Sequence, residues 1–141
     1  MLRAAVAGAA AGTQTGIHHP RVLAVTVLTS LDDAALDDLG IPGGAAARVR
    51  AWAAVAQRAG CHGVVCSPNE VGVLRAQLGE EFVLLAPGIR PAGEAAGDQK
   101  RVATPAQAVQ AGATYLVVGR PITAAADPLA AAQAIVAEMT T

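Results

Sequence analysis

An α/β fold, four β/α units preceded by a helix, is predicted for this chain of 141 residues by three features. Four β-rich runs, Val22 to Leu28, Gly63 to Cys66, Phe82 to Ala86 and Tyr115 to Val118, are nearly continuously apolar. Strands buried on both faces read this way, as in a parallel sheet. Ser67-Pro68, Thr104-Pro105 and Asp127-Pro128 each put a capping side chain before a proline, whose fixed φ and missing N–H suit a first helical turn. Gly40, Gly60 and Gly112 each follow a helix-like stretch, as left-handed C-terminal caps require.

Taken in order, the chain opens on Met1-Leu2-Arg3 and an alanine-rich segment to Ala11, which reads as a helix. Its small residues lack the leucine-rich character of an export signal. After the run Val22 to Leu28 come helical stretches from Leu31 to Leu39 and from Ala45 to Ala59, ended by Gly40 and Gly60. The run Gly63 to Cys66 leads through Ser67-Pro68 into a further helix, and Phe82 to Ala86 follows. Pro91 to Lys100 is the only long polar loop, and a loop of that size within compact β/α repeats is more often functional than accidental. Thr104-Pro105 opens a helix that Gly112 ends, Tyr115 to Val118 is the last strand, and Asp127-Pro128 opens the last helix. Such alternation implies right-handed crossovers and a parallel sheet. Periodicity leaves open whether that sheet is a doubly wound domain or a piece of a barrel. The absence of an early G-x-G-x-x-G after a strand argues against dinucleotide binding.

The length suits one domain or part of one, and falls short of the ~200 residues of a complete (β/α)8 barrel. Hydrophobic residues make up 53%, much of it alanine, with aromatics at 2%, so small-residue helices should pack on aliphatic strands. Ten basic against eleven acidic residues give a net charge of −1, so no broad field would draw in nucleic acid or an anionic membrane, and any anion site must be local. No apolar stretch approaches the ~18 residues of a membrane span. Cys61 and Cys66 are too few for a disulfide framework, and with His18, His19 and His62 they lack zinc-ligand spacings. No metal site is expected.

Chemistry is written at the ends of the last two strands: Pro87-Gly88-Ile89-Arg90-Pro91, then Gly97-Asp98-Gln99-Lys100-Arg101-Val102, then Gly119-Arg120-Pro121-Ile122-Thr123. Loops in such places hold phosphates in barrels, through backbone N–H groups and a helix N-terminus. Gly119 would let the backbone approach closely, and Arg120 offers a planar fork to phosphate oxygens. Arg90 and Gln99 could close over the same anion. Any one of these motifs alone could be a plain turn or a solvated charge.

Together, in this order and spacing, they closely resemble the bacterial orotidine 5′-phosphate decarboxylase family. Leu23 to Ser30 and Gly63 to Pro68 resemble its fifth and sixth strands, so the likeness covers essentially the whole chain. It implies a (β/α)4 C-terminal portion of a TIM-type (β/α)8 barrel with parallel strands, residues 1–141 forming one partial-barrel domain. It also implies a cytoplasmic homodimer that converts orotidine monophosphate to uridine monophosphate without a cofactor. Carried over by the resemblance, Arg90, Gln99, Gly119 and Arg120 would hold the 5′-phosphate, while Thr29 and Gln99 would contact the pyrimidine. Thr29 could instead be a helix cap, a role for which Ser30 competes.

The family's catalytic Asp-x-Lys-x-x-Asp motif has no match here. The only lysine, Lys100, is already part of the Gly97 to Arg101 run. Met1 to Val6 resembles the interior of the family's fourth helix, so the chain is expected to begin at an internal methionine: either the reading frame is truncated, or another polypeptide supplies strands one to four. The expected partners are orotidine or uridine monophosphate and either a second copy or a complementing N-terminal half. The alternatives are a noncatalytic nucleotide-binding half-barrel and an inert fragment. Four parallel strands cannot close a barrel, which leaves unpaired edges and apolar faces and predicts self-association.

Overall fold

The computed structural model describes residues 1–12, 20–92 and 101–140. Helix α1 spans Leu2–Ala11, and strand β1, Leu23–Val25, is followed by α2, Asp33–Asp38, and α3, Ala45–Arg58. Strand β2, Gly63–Val65, runs through a 3₁₀ turn, Pro68–Glu70, into α4, Val71–Leu78. Strand β3, Val83–Ala86, precedes α5, Pro105–Gln110, and β4, Tyr115–Leu116, precedes the single turn α6, Arg120–Thr123, and α7, Pro128–Met139. The strands form one parallel sheet in the order β1-β2-β3-β4. The expected alternation is what folds.

All three cap-proline pairs cap. Thr104 makes a reciprocal capping box with Gln107, Asp127 accepts from Ala130 N, and Ser67 accepts from Asn69 N, opening the 3₁₀ turn before α4. Gly40, Gly60 and Gly112 have φ of 71°, 85° and 98°, the left-handed conformation that lets a chain leave a helix without a Cβ clash. At α2 the expectation fails, because neither Thr29 nor Ser30 caps it. Asp32 does, accepting from Ala35 N at 3.0 Å, so the helix starts later than Leu31.

The regular strands are shorter than the apolar runs. Past Val25 the first strand keeps one rung, Thr26 N to Val65 O at 3.1 Å, and past Leu116 the last keeps Val117 N to Ala86 O at 2.9 Å. Burial on both faces is only partly realised: Val83 is buried on the face away from the helices, but much of that face is not. On the helix-covered face Val64, Leu84 and Ala86 are fully buried and pack with Val49, Ala53 and Leu74. On the opposite face Val25, Tyr115 and Val117 are 60%, 52% and 45% exposed. In a barrel that face is covered by strands across the interior; here no described element lies on it.

Both cysteines are buried free thiols. Burial, then the field of Glu70, pushes the Cys66 thiol up to about 12 against the partly compensating Arg101 and Arg75. Among the described residues no helix is long and apolar enough to cross a membrane.

Candidate functional site

The C-terminal ends of β1, β3 and β4 converge because parallel strands put all such ends on one rim of a sheet. At this rim Thr29, Pro87, Gly88, Arg90, Val117, Gly119 and Arg120 line a cavity of about 200 Å³. Four of the sequence-predicted residues, Thr29, Arg90, Gly119 and Arg120, therefore share one space. Gln99 lies in 93–100, outside the described residues, as do Lys100, most of the loop Pro91 to Lys100, and the His18-His19 pair.

A second cavity, of about 250 Å³, adjoins the first through Thr29 and Pro87 and runs onto the open sheet face along Val25, Val27, Val65 and Cys66. The pair thus offers a cationic end and an apolar end. Among the described residues the lining of the two cavities carries two guanidiniums, Arg90 and Arg120. Such groups attract an anion locally even though the chain is slightly acidic overall.

Local structure explains how each group is held. Gly88 has φ 79°, and a Cβ there would lie 2.8 Å from Arg101 O, so only glycine lets the chain after β3 press against the strand-like segment 101–103. That segment and residues 88–90 are joined by Arg90 N to Ala103 O at 3.0 Å and Ala103 N to Gly88 O at 3.3 Å. Arg90 Nη1 donates to Ile89 O at 2.8 Å, which bends its head back over the rim. A Cβ on Gly119 would meet nothing within 4 Å, so no described neighbour requires glycine there. Helix α6 is a single turn, so anion attraction falls on the arginines rather than on a helix dipole.

Residues 1–135 match the sequence family described as orotidine 5′-phosphate decarboxylase / HUMPS family. The chain belongs to that family. It is 57% identical over 137 residues to the orotidine 5′-phosphate decarboxylase of Anaeromyxobacter dehalogenans, which covers 97% of this chain and 57% of the relative. The relative from Rhodopseudomonas palustris is 59% identical over 119 residues, 84% of this chain and 50% of its own. Among solved structures, orotidine 5′-phosphate decarboxylase from Lactobacillus acidophilus superposes with a TM-score of 0.84 at 40% identity, covering all of this chain and 58% of that one. An uncharacterized conserved protein from Geobacillus kaustophilus gives 0.78 at 35%, covering 99% and 58%. This orotidine 5′-phosphate decarboxylase family chain thus spans about half the length of its relatives, and its sheet is half of their barrel.

Two residues at the rim went unassigned in the sequence. Glu70, 8% exposed, pairs with the Arg101 guanidinium, and Arg101 Nη2 donates to Val27 O at 3.1 Å and Leu28 O at 2.9 Å. The spacing Ser67-Pro68-Asn69-Glu70 would have drawn attention to Glu70, though as a capping-box partner. Arg101 stood inside the Gly97 to Val102 run with no role attached.

Proposed function

We propose that this chain supplies the phosphate- and pyrimidine-binding part of an orotidine 5′-phosphate decarboxylase, which converts orotidine monophosphate to uridine monophosphate in pyrimidine synthesis. The observation that carries the reading is the shared cavity of Thr29, Arg90, Gly119 and Arg120 with its apolar continuation along Val25 and Val65. Arg90 and Arg120 grip the 5′-phosphate, the Gly119 backbone approaches it, and the pyrimidine lies toward Thr29 and the apolar end. Gln99 joins the phosphate and the base by the family resemblance.

Carbon protonation in this reading needs the lysine of the Asp-x-Lys-x-x-Asp motif, which the present sequence does not carry. Its charged array is the source of transition-state stabilisation, and ground-state grip on the phosphate alone does not accelerate the chemistry. The complete cytoplasmic enzyme is therefore assembled when strands bearing that motif close over the exposed face at Val25, Tyr115 and Val117. These strands belong to the N-terminal half of the family barrel; a second copy of this chain covers the face without restoring the motif. By itself the chain is a nucleotide-binding half-barrel.

Titration of uridine monophosphate into the wild type and Arg120→Ala tests this. Losing one charge-assisted Arg–phosphate contact costs about 1.5–3 kcal/mol, so affinity should fall about tenfold or more at ~1.4 kcal/mol per decade. Gln99→Ala should lose less, because its amide is neutral. Equal affinities, or a folded wild type that does not bind, would reduce the motif to ancestry. Decarboxylation of orotidine monophosphate by the pure chain alone should stay at background, and turnover would refute the assignment of the chemistry to another segment.

A further inference from the structure

The last regular rung of the first strand is Thr26 N to Val65 O, so the carbonyls of Val27 and Leu28, the two residues before Thr29, find no partner in the sheet ladder. Arg101 donates to both, at 3.1 and 2.9 Å from the same Nη2. Its Nη1 meets Glu70 Oε1 at the end of the 3₁₀ turn that follows β2. The main chain of Arg101 meanwhile lies against Gly88, where a Cβ would come within 2.8 Å of Arg101 O. Arg101 therefore ties the exits of β1 and β2 together through its side chain and meets the exit of β3 through its main chain, at Gly88, which lines the cavity of Thr29, Arg90 and Arg120. Side-chain exposure is 12% for Arg101 and 9% for Glu70, and Glu70 Oε2 and Arg101 Nε have no hydrogen-bond partner among the described residues.

Such a pair is a poor stabiliser. Taking two charges from water offsets much of their attraction, and replacing both with neutral groups is often neutral or stabilising, whereas removing one leaves a buried charge alone. What the pair supplies is geometry: a planar guanidinium can address a carboxylate and two carbonyls at fixed angles, which a lysine ammonium cannot. We infer that Glu70 and Arg101 are a positioning pair for the nucleotide site, setting the distance between Thr29 at the base end and Arg90 at the phosphate end. This rests on the nucleotide-binding reading above. Neither residue touches the ligand; each acts through the backbone it holds.

The test is titration of uridine monophosphate into the wild type, Arg101→Lys, and the double variant Glu70→Gln with Arg101→Met, each alongside urea denaturation. The double variant should fold with a modestly lowered denaturation midpoint, because both charges leave together but the partly buried Val27 carbonyl loses its donor. It should nevertheless bind uridine monophosphate about ten- to a hundredfold more weakly, the scale on which misplacement by an ångström acts. Arg101→Lys, which retains the charge opposite Glu70 but not the branch to Val27 and Leu28, should also bind more weakly while folded, and it serves alone if the double variant does not fold. A merely structural pair would lower the midpoint and leave the affinity of folded protein untouched. Binding by the wild type with equal affinity in the folded variants overturns the positioning role alone. A folded wild type that does not bind uridine monophosphate overturns the nucleotide reading, and the positioning role with it.

Discussion

Replacing Arg75 by methionine should remove about 3 kcal/mol of folding stability, far more than a charge on a short surface helix usually contributes. Arg75 sits at the N-terminal rim of the sheet, opposite the candidate site. Its guanidinium donates to Gly112 O from Nε at 3.1 Å and from Nη2 at 2.8 Å, and Nη2 also meets Thr114 Oγ1 at 3.0 Å. Nη1 donates to Gly79, Glu80 and Phe82 carbonyls at 2.7, 2.8 and 2.8 Å. Methionine keeps the stem and loses every donor. Water replaces the contacts at the exposed residues Gly79, Glu80 and Thr114, so those contribute little. The partly buried Phe82 and Gly112 carbonyls lose their donors, at about 1–3 kcal/mol each. The ion pair of Arg75 with Glu80 spans 3.8 Å with the Glu80 side chain 87% exposed, and is worth next to nothing in water. Urea denaturation reads the sum. With a slope of about 2 kcal/mol per molar, a loss of about 3 kcal/mol moves the midpoint down by about 1.5 M at unchanged slope. Glu80→Ala should leave the midpoint where it is. An Arg75→Met midpoint indistinguishable from wild type would mean that the carbonyls are satisfied without the guanidinium, and would refute the reasoning.

Gly63→Ala should destabilise by about 3 kcal/mol or more, because its Cβ would fall 2.2 Å from Val83 O and 2.5 Å from Val83 Cβ, inside the sheet where the neighbouring strand cannot yield; thermal melting that matches wild type would contradict this. Cys66 supplies a pH dependence. Its folded pKa of about 12 lies above the ordinary 9.0, so the unfolded chain ionises first, and its contribution is intact below about pH 9 and lost as pH rises toward 12. Comparing denaturation of the wild type and Cys66→Ala at about pH 8 and about pH 10.5 should show the steeper alkaline loss in wild type, and parallel losses would count against it. The open sheet face should drive self-association at micromolar concentration, and sedimentation as a well-behaved monomer would count against that.

The fold was largely legible because local chemistry and global topology agree here. Asp127, Thr104 and Ser67 carry their caps in the sequence, and Gly60 and Gly112 carry their left-handed stops. Arg90, Gly119 and Arg120 could be grouped because each follows one of the last two strands, and parallel strands bring such ends to one rim, whereas Thr29 was reached through the family resemblance. Illegible were features that depend on what lies opposite in space. An apolar run such as Val22 to Leu28 looks alike whether one or both faces are covered, so the exposure of Val25 could not be read. Asp32 capped α2 in place of Ser30 because the main chain turns between Leu28 and Leu31, with Leu31 N bonded to Leu28 O at 3.0 Å. Glu70 and Arg101 lie 31 residues apart with no periodicity linking them, and Arg75 makes its contacts with backbone, which no side-chain pattern advertises.

Because the spatial order of the strands equals their order in the sequence, each pairs only with its immediate neighbours in the chain. A sheet in which a late strand inserts between two early ones forces the early pair to wait apart, exposing both edges until the chain has passed. Here β2 can dock on β1 as soon as α3 has been made, and every later strand finds its template finished. Closing loops in this sequence keeps their entropic cost small, and suits a chain that folds from its N-terminal end during synthesis.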